Sequence, residues 1–298
     1  MLQKIKKVIK ASKLLRKLII PLIDKRYRYH FKVIKLLNKS LYLKLLNGST
    51  VKFYPKGQIA FGIFTKQFEK QEIDSFQRII KPGMTIVDAG ANIGLYSLIA
   101  SQLIGSKGRV FSFEPSKETF QRLTDNIKLN GFNNITPFNN GLGDKPNEKL
   151  ILRQDIGNED AERYLFPNNK SPDVKLENMN TIQTEEEVII DTLDNCLKNL
   201  NIPKINFLKI DTEGYEYYIL KGAKTILQNS PEIIIFMECT ELGTSRASTT
   251  QKEVFTILKD HDLNIFYWDI LKRDWFDDEA GVYKAGEIWA CKNKNQLT

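Results

Sequence analysis

A short apolar segment that runs directly into a glycine-spaced turn constrains this chain more than any other feature. Residues 85–94 read TIVDAGANIG, where a strand-like run ends at Asp88 and is followed by Gly90 and Gly94. A buried parallel strand that turns tightly into a helix is the usual nucleotide-binding corner of an open α/β sheet. A Gly-x-x-x-Gly turn alone is also common where a strand and a helix merely pack closely. The segment therefore predicts an α/β fold, and other segments must test whether the corner binds a ligand.

The residues of the turn indicate which ligand would bind. Dinucleotide-binding turns have the spacing Gly-x-Gly-x-x-Gly, and Asn92 stands in place of the second glycine. The carboxylate of Asp88 repels phosphate but attracts ammonium and sulfonium groups, by roughly 1 to 4 kcal/mol at ~4 Å. A second acid, Glu114, ends the next apolar run, where it can bind ribose hydroxyls. Together these acids predict S-adenosylmethionine, which carries both cationic groups.

Two later segments also end in acids. The run 205–210 precedes Asp211 and Glu213, and the β-branched run 232–237 precedes Glu238. Ligands of an open parallel sheet bind beyond the carboxyl ends of the strands. We therefore expect these acids to meet Asp88 and Glu114 in one crevice.

These segments resemble the S-adenosylmethionine-dependent methyltransferases of the FkbM type. The matching segments follow the family's order: 87–98, 113–131, 191–195, 208–227 and 231–238. The resemblance implies a Rossmann-like seven-stranded class I methyltransferase sheet. It also implies transfer of a methyl group to a hydroxyl of a sugar, a glycolipid or a related metabolite.

The resemblance further implies roles for individual residues. It assigns four residues to the cofactor turn: Asp88, Gly90, Asn92 and Gly94. It places Glu114 at the ribose and Asn140 at the adenine. Glu69 matches an acid that often follows Trp in the family, and Phe68 stands at that position here. All of these are expected to contact the cofactor.

The residues that would activate an acceptor hydroxyl are carboxylates. An alcohol must lose its proton as the new bond forms, and a positioned base contributes about 10² to 10⁴ in rate. The two histidines, His30 and His261, lie in the basic N-terminal region and near the end of a predicted helix. Asp211, Glu213 and Glu238 are therefore the catalytic candidates. Two alternatives stay open: an acid can simply complement a helix N-terminus, and acids can hold a divalent metal that activates the hydroxyl.

Positive charge is concentrated at the N-terminus. Residues 1–44 hold 14 Lys and Arg and one acid, so a chain of net charge +8 carries −5 over its other 254 residues. Six apolar positions fall near helical spacing between the lysines: Ile5, Val8, Ile9, Leu15, Leu18 and Ile19. This pattern is typical of an amphipathic helix on an anionic membrane, but a helix that packs on the acidic remainder of the chain fits equally well. We divide the chain into a basic helical extension (1–46), a connecting segment (47–80) and a methyltransferase domain (81–298).

The spacing of the cysteines and the length of the apolar runs indicate the cellular compartment. Cys196, Cys239 and Cys291 are widely spaced, which favours reduced thiols in the cytoplasm over disulfides or a zinc site. No apolar run is long enough to cross a membrane, and Arg16 and Lys17 interrupt the one that resembles a signal peptide. We expect a cytoplasmic protein that contacts the inner face of a membrane if the extension binds lipid.

Three other functions compete with sugar O-methylation. An RNA methyltransferase would use the basic extension for phosphate contact, although no clear stacking platform accompanies the charge. A nicotinamide-dependent oxidoreductase is disfavoured by Asp88 and Asn92, and a non-catalytic binding module stays open. The polar segment 153–187 is expected to form a long loop that covers the acceptor, with Tyr164 and Phe166 as contacts, or else a disordered insertion.

Overall fold

The computed structural model describes residues 40–45, 47–54, 57–65, 68–155, 163–165, 183–269, 274–277 and 286–297. The predicted extension lies outside these residues, apart from its last few positions. Residues 41–44, which the sequence assigned to the end of that helical extension, form a strand. None of the helices in the described ranges is long and apolar enough to cross a membrane.

Fourteen strands are described: β1 (Leu41–Lys44), β2 (Thr50–Phe53), β3 (Thr85–Ala89), β4 (Arg109–Phe113), β5 (Ile135–Phe138), β6 (Gly141–Leu142), β7 (Glu148–Asp155), β8 (Arg163–Leu165), β9 (Gln183–Asp191), β10 (Phe207–Ile210), β11 (Ile234–Cys239), β12 (Asn264–Asp269), β13 (Asp274–Asp277) and β14 (Gly286–Cys291). Nine α-helices are described: α1 (Gly57–Thr65), α2 (Lys70–Ile79), α3 (Leu95–Ile104), α4 (Lys117–Asn130), α5 (Leu193–Asn199), α6 (Glu216–Lys221), α7 (Lys224–Asn229), α8 (Glu241–Arg246) and α9 (Gln251–Asp260). A 3₁₀ turn, Lys294–Leu297, follows β14.

Eight strands form the central sheet, in the order β13-β12-β14-β11-β10-β3-β4-β5. The strands from β11 to β5 run parallel, and β14, β12 and β13 pair antiparallel at one side. The predicted seven-stranded α/β sheet is thus confirmed, and β13 adds an eighth strand at its edge. The strand order changes direction between β3 and β10, which is where ligands of such sheets bind.

The parallel strands are apolar because helices cover both faces of the sheet. All four residues of β10 are buried. On one face, Phe207 packs with Phe76 of α2 and Leu98 of α3 in the same hydrophobic cluster. On the other face, Leu208 belongs to a cluster with Ile219 of α6. This alternation follows from the two-residue period of a strand, and it explains the continuous hydrophobic runs in the sequence.

One row of register-matched residues crosses five strands of the sheet. The row consists of Ser112, Asp88, Lys209, Phe236 and Trp289, each opposite the next on the neighbouring strand. Directly opposed residues share a face of the sheet, so the row passes from a hydroxyl through two opposite charges to two stacked aromatic rings, whose centroids are 4.4 Å apart. The charged part of this row lies next to the strand ends where the predicted site is found.

A second sheet, in the order β6-β9-β7-β8, is inserted between β5 and β10. Its entry and exit strands, β6 and β9, pair with each other in parallel: Gly141 lies opposite Ile190 and Leu142 opposite Asp191. The prediction of an irregular loop over 153–187 is wrong at both of its ends, which lie in β7 and β9, and at β8. The rest of that segment, with Phe166, lies outside the described residues.

Candidate active site

A cavity of about 280 Å³ opens at the carboxyl ends of the parallel strands, with the inserted sheet as one wall. Seven of the ten residues that the sequence assigned to the site line this cavity: Glu69, Gly90, Asn92, Glu114, Asp211, Glu213 and Glu238. Asp88, Gly94 and Asn140 are not among the lining residues. Four of the five acids at the strand ends therefore do face one crevice, and the expectation is wrong for Asp88, which is buried behind the wall.

The glycine turn brings the end of β3 very close to β10. A Cβ atom at Gly90 would lie 1.9 Å from the backbone oxygen of Asp211, and the residue has a positive φ of 78°. Asn92 also has a positive φ, of 51°, which asparagine tolerates better than most residues. Glycine is thus required at position 90 by the packing of the two strands, whichever ligand the turn binds.

Asp88 lies beneath the turn and is 2% exposed. Its Oδ2 accepts a hydrogen bond of 2.6 Å from Ser97 Oγ, which is in turn 2.7 Å from Ser112 Oγ. Its Oδ1 accepts no hydrogen bond from the described residues and lies 3.9 Å from Lys209 Nζ. Burial raises the pKa of Asp88, although Lys209 and Ser97 act in the opposite direction. Asp88 is therefore buried behind the cavity wall, with Ser97 and Lys209 as its neighbours, and does not line the cavity.

Glu114 ends β4 and reaches the cavity while being 6% exposed. Its two carboxylate oxygens accept hydrogen bonds of 3.0 Å from the backbone N–H groups of Asn92 and Ser116. Burial raises its pKa to about 7, against the lowering effect of those hydrogen bonds and of Arg163. Each carboxylate oxygen has a second lone pair, so Glu114 can still accept hydrogen bonds from two hydroxyls. Asn140 turns away, and its Nδ2 donates to Gly141 O at 2.9 Å.

Three acids cluster at the ends of β10 and β11. One carboxylate oxygen from each of Asp211, Glu213 and Glu238 lies within 4.8 Å of the other two. A fourth acid, Glu287 of β14, lies directly opposite Glu238 in the antiparallel register and also lines the cavity. Glu287 could not be predicted from the sequence, because only the pairing of β14 with β11 brings it to this edge.

The loop that carries Asp211 and Glu213 is fixed by a buried acid, Glu216. Its Oε1 accepts hydrogen bonds from Thr212 N at 3.3 Å, Thr212 Oγ1 at 3.1 Å and Gly214 N at 3.1 Å. Glu216 is 2% exposed, and burial raises its pKa to about 6. Glu213 adopts a left-handed φ of 56°, a conformation that such supports must hold in place. The role of Glu216 could have been predicted from its position, because it is an acid at the start of a helix just after Asp211 and Glu213.

A mixed-charge group lies between the cofactor turn and these acids. Lys209 of β10 is 3% exposed, and its Nζ lies 3.0 Å from Asp211 Oδ2 and 4.6 Å from the centre of the Tyr96 ring. Tyr96 Oη donates a hydrogen bond of 2.6 Å to Glu69 Oε2. Burial, and then the charge of Asp211, raises the pKa of Glu69 to about 7. A lysine in the middle of the apolar run 205–210 was the signal for this group, and it was overlooked.

The inserted sheet supplies the opposite wall. Arg163 of β8 lines the cavity, donates to Gln154 Oε1 at 3.0 Å and also bonds to Thr119 Oγ1. We expected Tyr164 to contact the acceptor, but its side chain is buried, with 1% exposure. The guanidinium carbon of Arg246 lies over the Tyr164 ring, 5.2 Å from the ring centre. Arg246 Nη1 also lies 3.9 Å from Glu213 Oε2. Arg246 therefore connects the inserted sheet to the acidic edge.

The charge of the wall suits a cationic ligand. Among the described lining residues, six are acids and two, Lys209 and Arg163, are cations. Lys209 lies against Asp211, and Arg163 lies 3.8 Å from Glu118 outside the cavity. The excess of acids thus suits a ligand that carries sulfonium and ammonium groups.

The order of the central strands is that of the class I S-adenosylmethionine-dependent methyltransferases. The methyltransferase FkbM domain model matches residues 88–264. Because that match covers more than half of the chain, the protein belongs to the FkbM methyltransferase family.

Two curated relatives are similar in sequence to about half of this chain. The hexuronic acid methyltransferase AglP of Haloferax volcanii is 30% identical over 150 residues, which are 50% of this chain and 53% of the relative. Methyltransferase 1 of Beauveria bassiana is 30% identical over 148 residues, which are 46% of this chain and 57% of the relative. The chain therefore spans about half the length of the curated relatives it matches.

Other similarities are shorter or more distant. The ribosomal RNA large subunit methyltransferase E of Acinetobacter baylyi is 56% identical over 41 residues, 14% of this chain and 19% of that protein. A solved O-methyltransferase of Thermotoga maritima is 12% identical with a TM-score of 0.40, covering 85% of this chain and 77% of that chain. A precorrin-6y C5,15-methyltransferase of Geobacter metallireducens is 14% identical with a TM-score of 0.41, covering 76% and 89%. These TM-scores add no weight to the family assignment.

Proposed function

We propose that this chain transfers the methyl group of S-adenosylmethionine to a hydroxyl of a sugar, a glycolipid or a related metabolite. The observation that carries the proposal is the acidic cluster of Asp211, Glu213 and Glu238 at the edge of the sheet where ligands bind. The similarity to a hexuronic acid methyltransferase supports a saccharide as the acceptor class.

The chain's own residues would hold the cofactor in two places. Glu114 would accept hydrogen bonds from the ribose hydroxyls, and the turn residues 90–93 would contact the ligand with their backbone. When bound, S-adenosylmethionine supplies an electrophilic methyl group on a positively charged sulfur. Glu69 and Asp211 would attract its positive charges, because both are acids that line the cavity.

The acidic cluster would remove the proton of the acceptor hydroxyl. Lys209 holds Asp211 Oδ2 at 3.0 Å, which leaves Oδ1 for the acceptor. Glu213 is oriented by Arg246, and Glu238 lies within the same 4.8 Å group of oxygens. A base within hydrogen-bond reach of the hydroxyl contributes about 10² to 10⁴ in rate, so Asp211 is our first candidate and the other two acids follow.

The test is transfer of a labelled methyl group to neutral hexosides, hexuronates and lipid-linked saccharides, with mass spectrometry of the O-methylated product. We expect Asp211→Asn, Glu213→Gln or Glu238→Gln to lower turnover, by about 10² to 10⁴ for the base. Cofactor binding should be retained in Glu213→Gln and Glu238→Gln, whereas Asp211→Asn should also weaken it, because Asp211 attracts the positive charges of the cofactor. Glu241→Gln is the matched control, because Glu241 is an exposed acid of α8 outside the cavity lining. Absence of transfer to every saccharide class, or turnover within twofold of wild type in all three variants, would reject the proposal.

The same assay addresses the metal alternative. Carboxylate oxygens within 4.8 Å of one another can also be ligands of a hard divalent cation. Activity that is lost with a strong chelator and restored by magnesium would assign the cluster to a metal. Activity that survives the chelator would leave proton removal as its role.

RNA methylation is the alternative function. The 14 basic residues within 1–44 favour it, since phosphate contacts make binding strongly dependent on salt. Titration of a generic RNA at two salt concentrations tests it. Weak binding without a steep salt dependence would remove RNA as the acceptor.

We also propose a cytoplasmic location in which residues 1–44 bind the inner face of an anionic membrane. The charge of this segment and its apolar residues at helical spacing support the proposal. Sedimentation of the full chain with vesicles that contain phosphatidylglycerol, but not with neutral vesicles, is the expected result. Equal sedimentation with both, or with neither, would contradict it.

A further inference from the structure

Lys209 is a buried ammonium in the wall of the cavity with unused hydrogen-bonding capacity. Its side chain lines the cavity although the residue is 3% exposed. An ammonium has three N–H donors, and a buried charge is costly unless it is paired and hydrogen-bonded. Among the described residues, Asp211 Oδ2 is the one acceptor within hydrogen-bond distance of Nζ. Asp88 Oδ1 lies at 3.9 Å, beyond that distance.

The groups around Lys209 indicate which ligand would accept the remaining hydrogen bonds of its ammonium group. The Tyr96 ring covers one side of Nζ at 4.6 Å, and Glu69 is bonded to the hydroxyl of the same Tyr96. The cluster therefore presents one cation beside the acids Glu69 and Asp211. A ligand that carries both a carboxylate and an ammonium matches this combination of charges, whereas a purely cationic ligand leaves Lys209 unsatisfied.

The position of the cluster relative to Glu114 fits one part of the cofactor. Glu114 follows β4, and Lys209 lies on β10, two strands away across β3. Adjacent strands are about 4.8 Å apart, so the two sites are separated by roughly 10 Å along the sheet. The aminocarboxypropyl chain is attached to the sulfur next to the ribose, so with the ribose at Glu114 this chain could bridge the separation and bring its carboxylate to Lys209.

We propose that Lys209 binds the α-carboxylate of the methionyl tail of S-adenosylmethionine, with Glu69 and Asp211 on the side of the α-ammonium. This proposal rests on the proposed cofactor but not on the acceptor. Lys209 is then the residue that makes an acid-lined cavity able to accept a ligand with a carboxylate. The wall without Lys209 would favour a cofactor analogue that lacks this carboxylate, because such an analogue carries more net positive charge.

The experiment compares S-adenosylmethionine with its decarboxylated form by calorimetry on the full chain. Wild type is expected to prefer S-adenosylmethionine by roughly 10- to 100-fold, the usual effect of a hydrogen-bonded charge pair. Lys209→Met should abolish or reverse this preference by weakening S-adenosylmethionine alone, and Lys209→Arg should restore part of it. Lys221→Met is the matched control and should keep the wild-type preference, because Lys221 bonds to Asp144 at 2.8 Å outside the cavity.

Three results would overturn the proposal. Equal affinity of wild type for the two compounds would show that no group binds the carboxylate. An equal loss for both compounds in Lys209→Met would mean that Lys209 only supports Asp211. If thermal melting shows that Lys209→Met does not fold, the wild-type comparison and Lys209→Arg decide the matter. Failure of methyl transfer to saccharides leaves these binding results intact, whereas failure to bind either compound rejects both the cofactor and the role of Lys209.

Discussion

The protonation of Glu114 should control the affinity of the cofactor near neutral pH. Its carboxylate is buried at the end of β4, and this burial raises its pKa to about 7. Ribose hydroxyls donate hydrogen bonds, which an ionised carboxylate accepts more strongly than a protonated one. Binding should therefore strengthen as the pH rises, and replacing Glu114 by Gln should remove the pH dependence that this group causes.

The magnitude follows from the pKa. A group with a pKa of 7 is roughly 10% ionised at pH 6 and roughly 90% ionised at pH 8, so affinity should rise about tenfold over this interval. Calorimetric titration of S-adenosylhomocysteine at several pH values measures this rise. Binding at pH 7 should also release about half a proton, which repeated titrations in buffers of different ionisation enthalpy detect.

The same pKa predicts an opposite effect on the stability of the ligand-free protein. The folded-state pKa of about 7 lies above the unperturbed value of 4.5. The folded state therefore binds the Glu114 proton more tightly than the unfolded state does. The contribution of this proton to the free energy of unfolding is fully present below pH 4.5 and is lost as the pH rises to about 7. The difference is on the order of 3 kcal/mol, and Glu114→Gln should be more stable relative to wild type at pH 8 than at pH 5.

Glu69 also has a pKa near 7, so the comparison of wild type with Glu114→Gln isolates the Glu114 effect. The reasoning would be refuted by a wild-type affinity that is the same at pH 6 and pH 8. An unchanged pH dependence in a folded Glu114→Gln variant would refute it equally. Glu241→Gln serves as the control, since Glu241 is exposed on α8 outside the cavity lining and should keep the wild-type profile.

Two further predictions concern the support of the site. In urea unfolding, Gly90→Ala should destabilise the fold by several kcal/mol more than Gly83→Ala. Both glycines have a positive φ, but only at Gly90 would the new Cβ atom clash with the backbone oxygen of Asp211. Equal losses of stability in the two variants would contradict this clash. Glu216→Gln should cost about 1 to 3 kcal/mol and reduce turnover more than cofactor affinity, because it disrupts the hydrogen bonds that hold the loop of Asp211 and Glu213. Unchanged turnover in a Glu216→Gln variant of reduced stability would separate the loop from catalysis.

The sequence could predict the acids at the strand ends because each belongs to a local pattern. Asp88, Glu114 and Asp211 directly follow or end an apolar run, and parallel strands bring such positions to one edge. The positions of Lys209 and Glu287 in the site depend instead on the register in which the strands pair. Lys209 is opposite Asp88, which is far away in the chain, and Glu287 reaches the edge only through antiparallel pairing with β11. No local pattern encodes these pairings.

The inserted sheet was missed for a different reason. Its strands alternate between buried and more exposed residues, as the buried Leu150 and Leu152 alternate with the exposed Lys149 and the half-buried Ile151. Half of the side chains on such a sheet face water, so the mean hydropathy of the segment is low although a strand is present. The period of two residues was the informative signal, and the polar composition of the segment obscured it.

The parallel pairing of β6 with β9 has a consequence for how proteins of this architecture can diversify. The chain leaves the central domain after Gly141 and rejoins it at Asp191, next to its point of departure. A segment whose two ends are joined in this way can change in length or be exchanged between homologues at a small entropic cost to its host. Because this segment contributes Leu152, Arg163 and Leu165 to the cavity, recombination there would remodel the binding chamber and leave the parallel strands untouched. A chimera with residues 143–189 from another family member should keep the central fold and acquire a different range of accepted molecules.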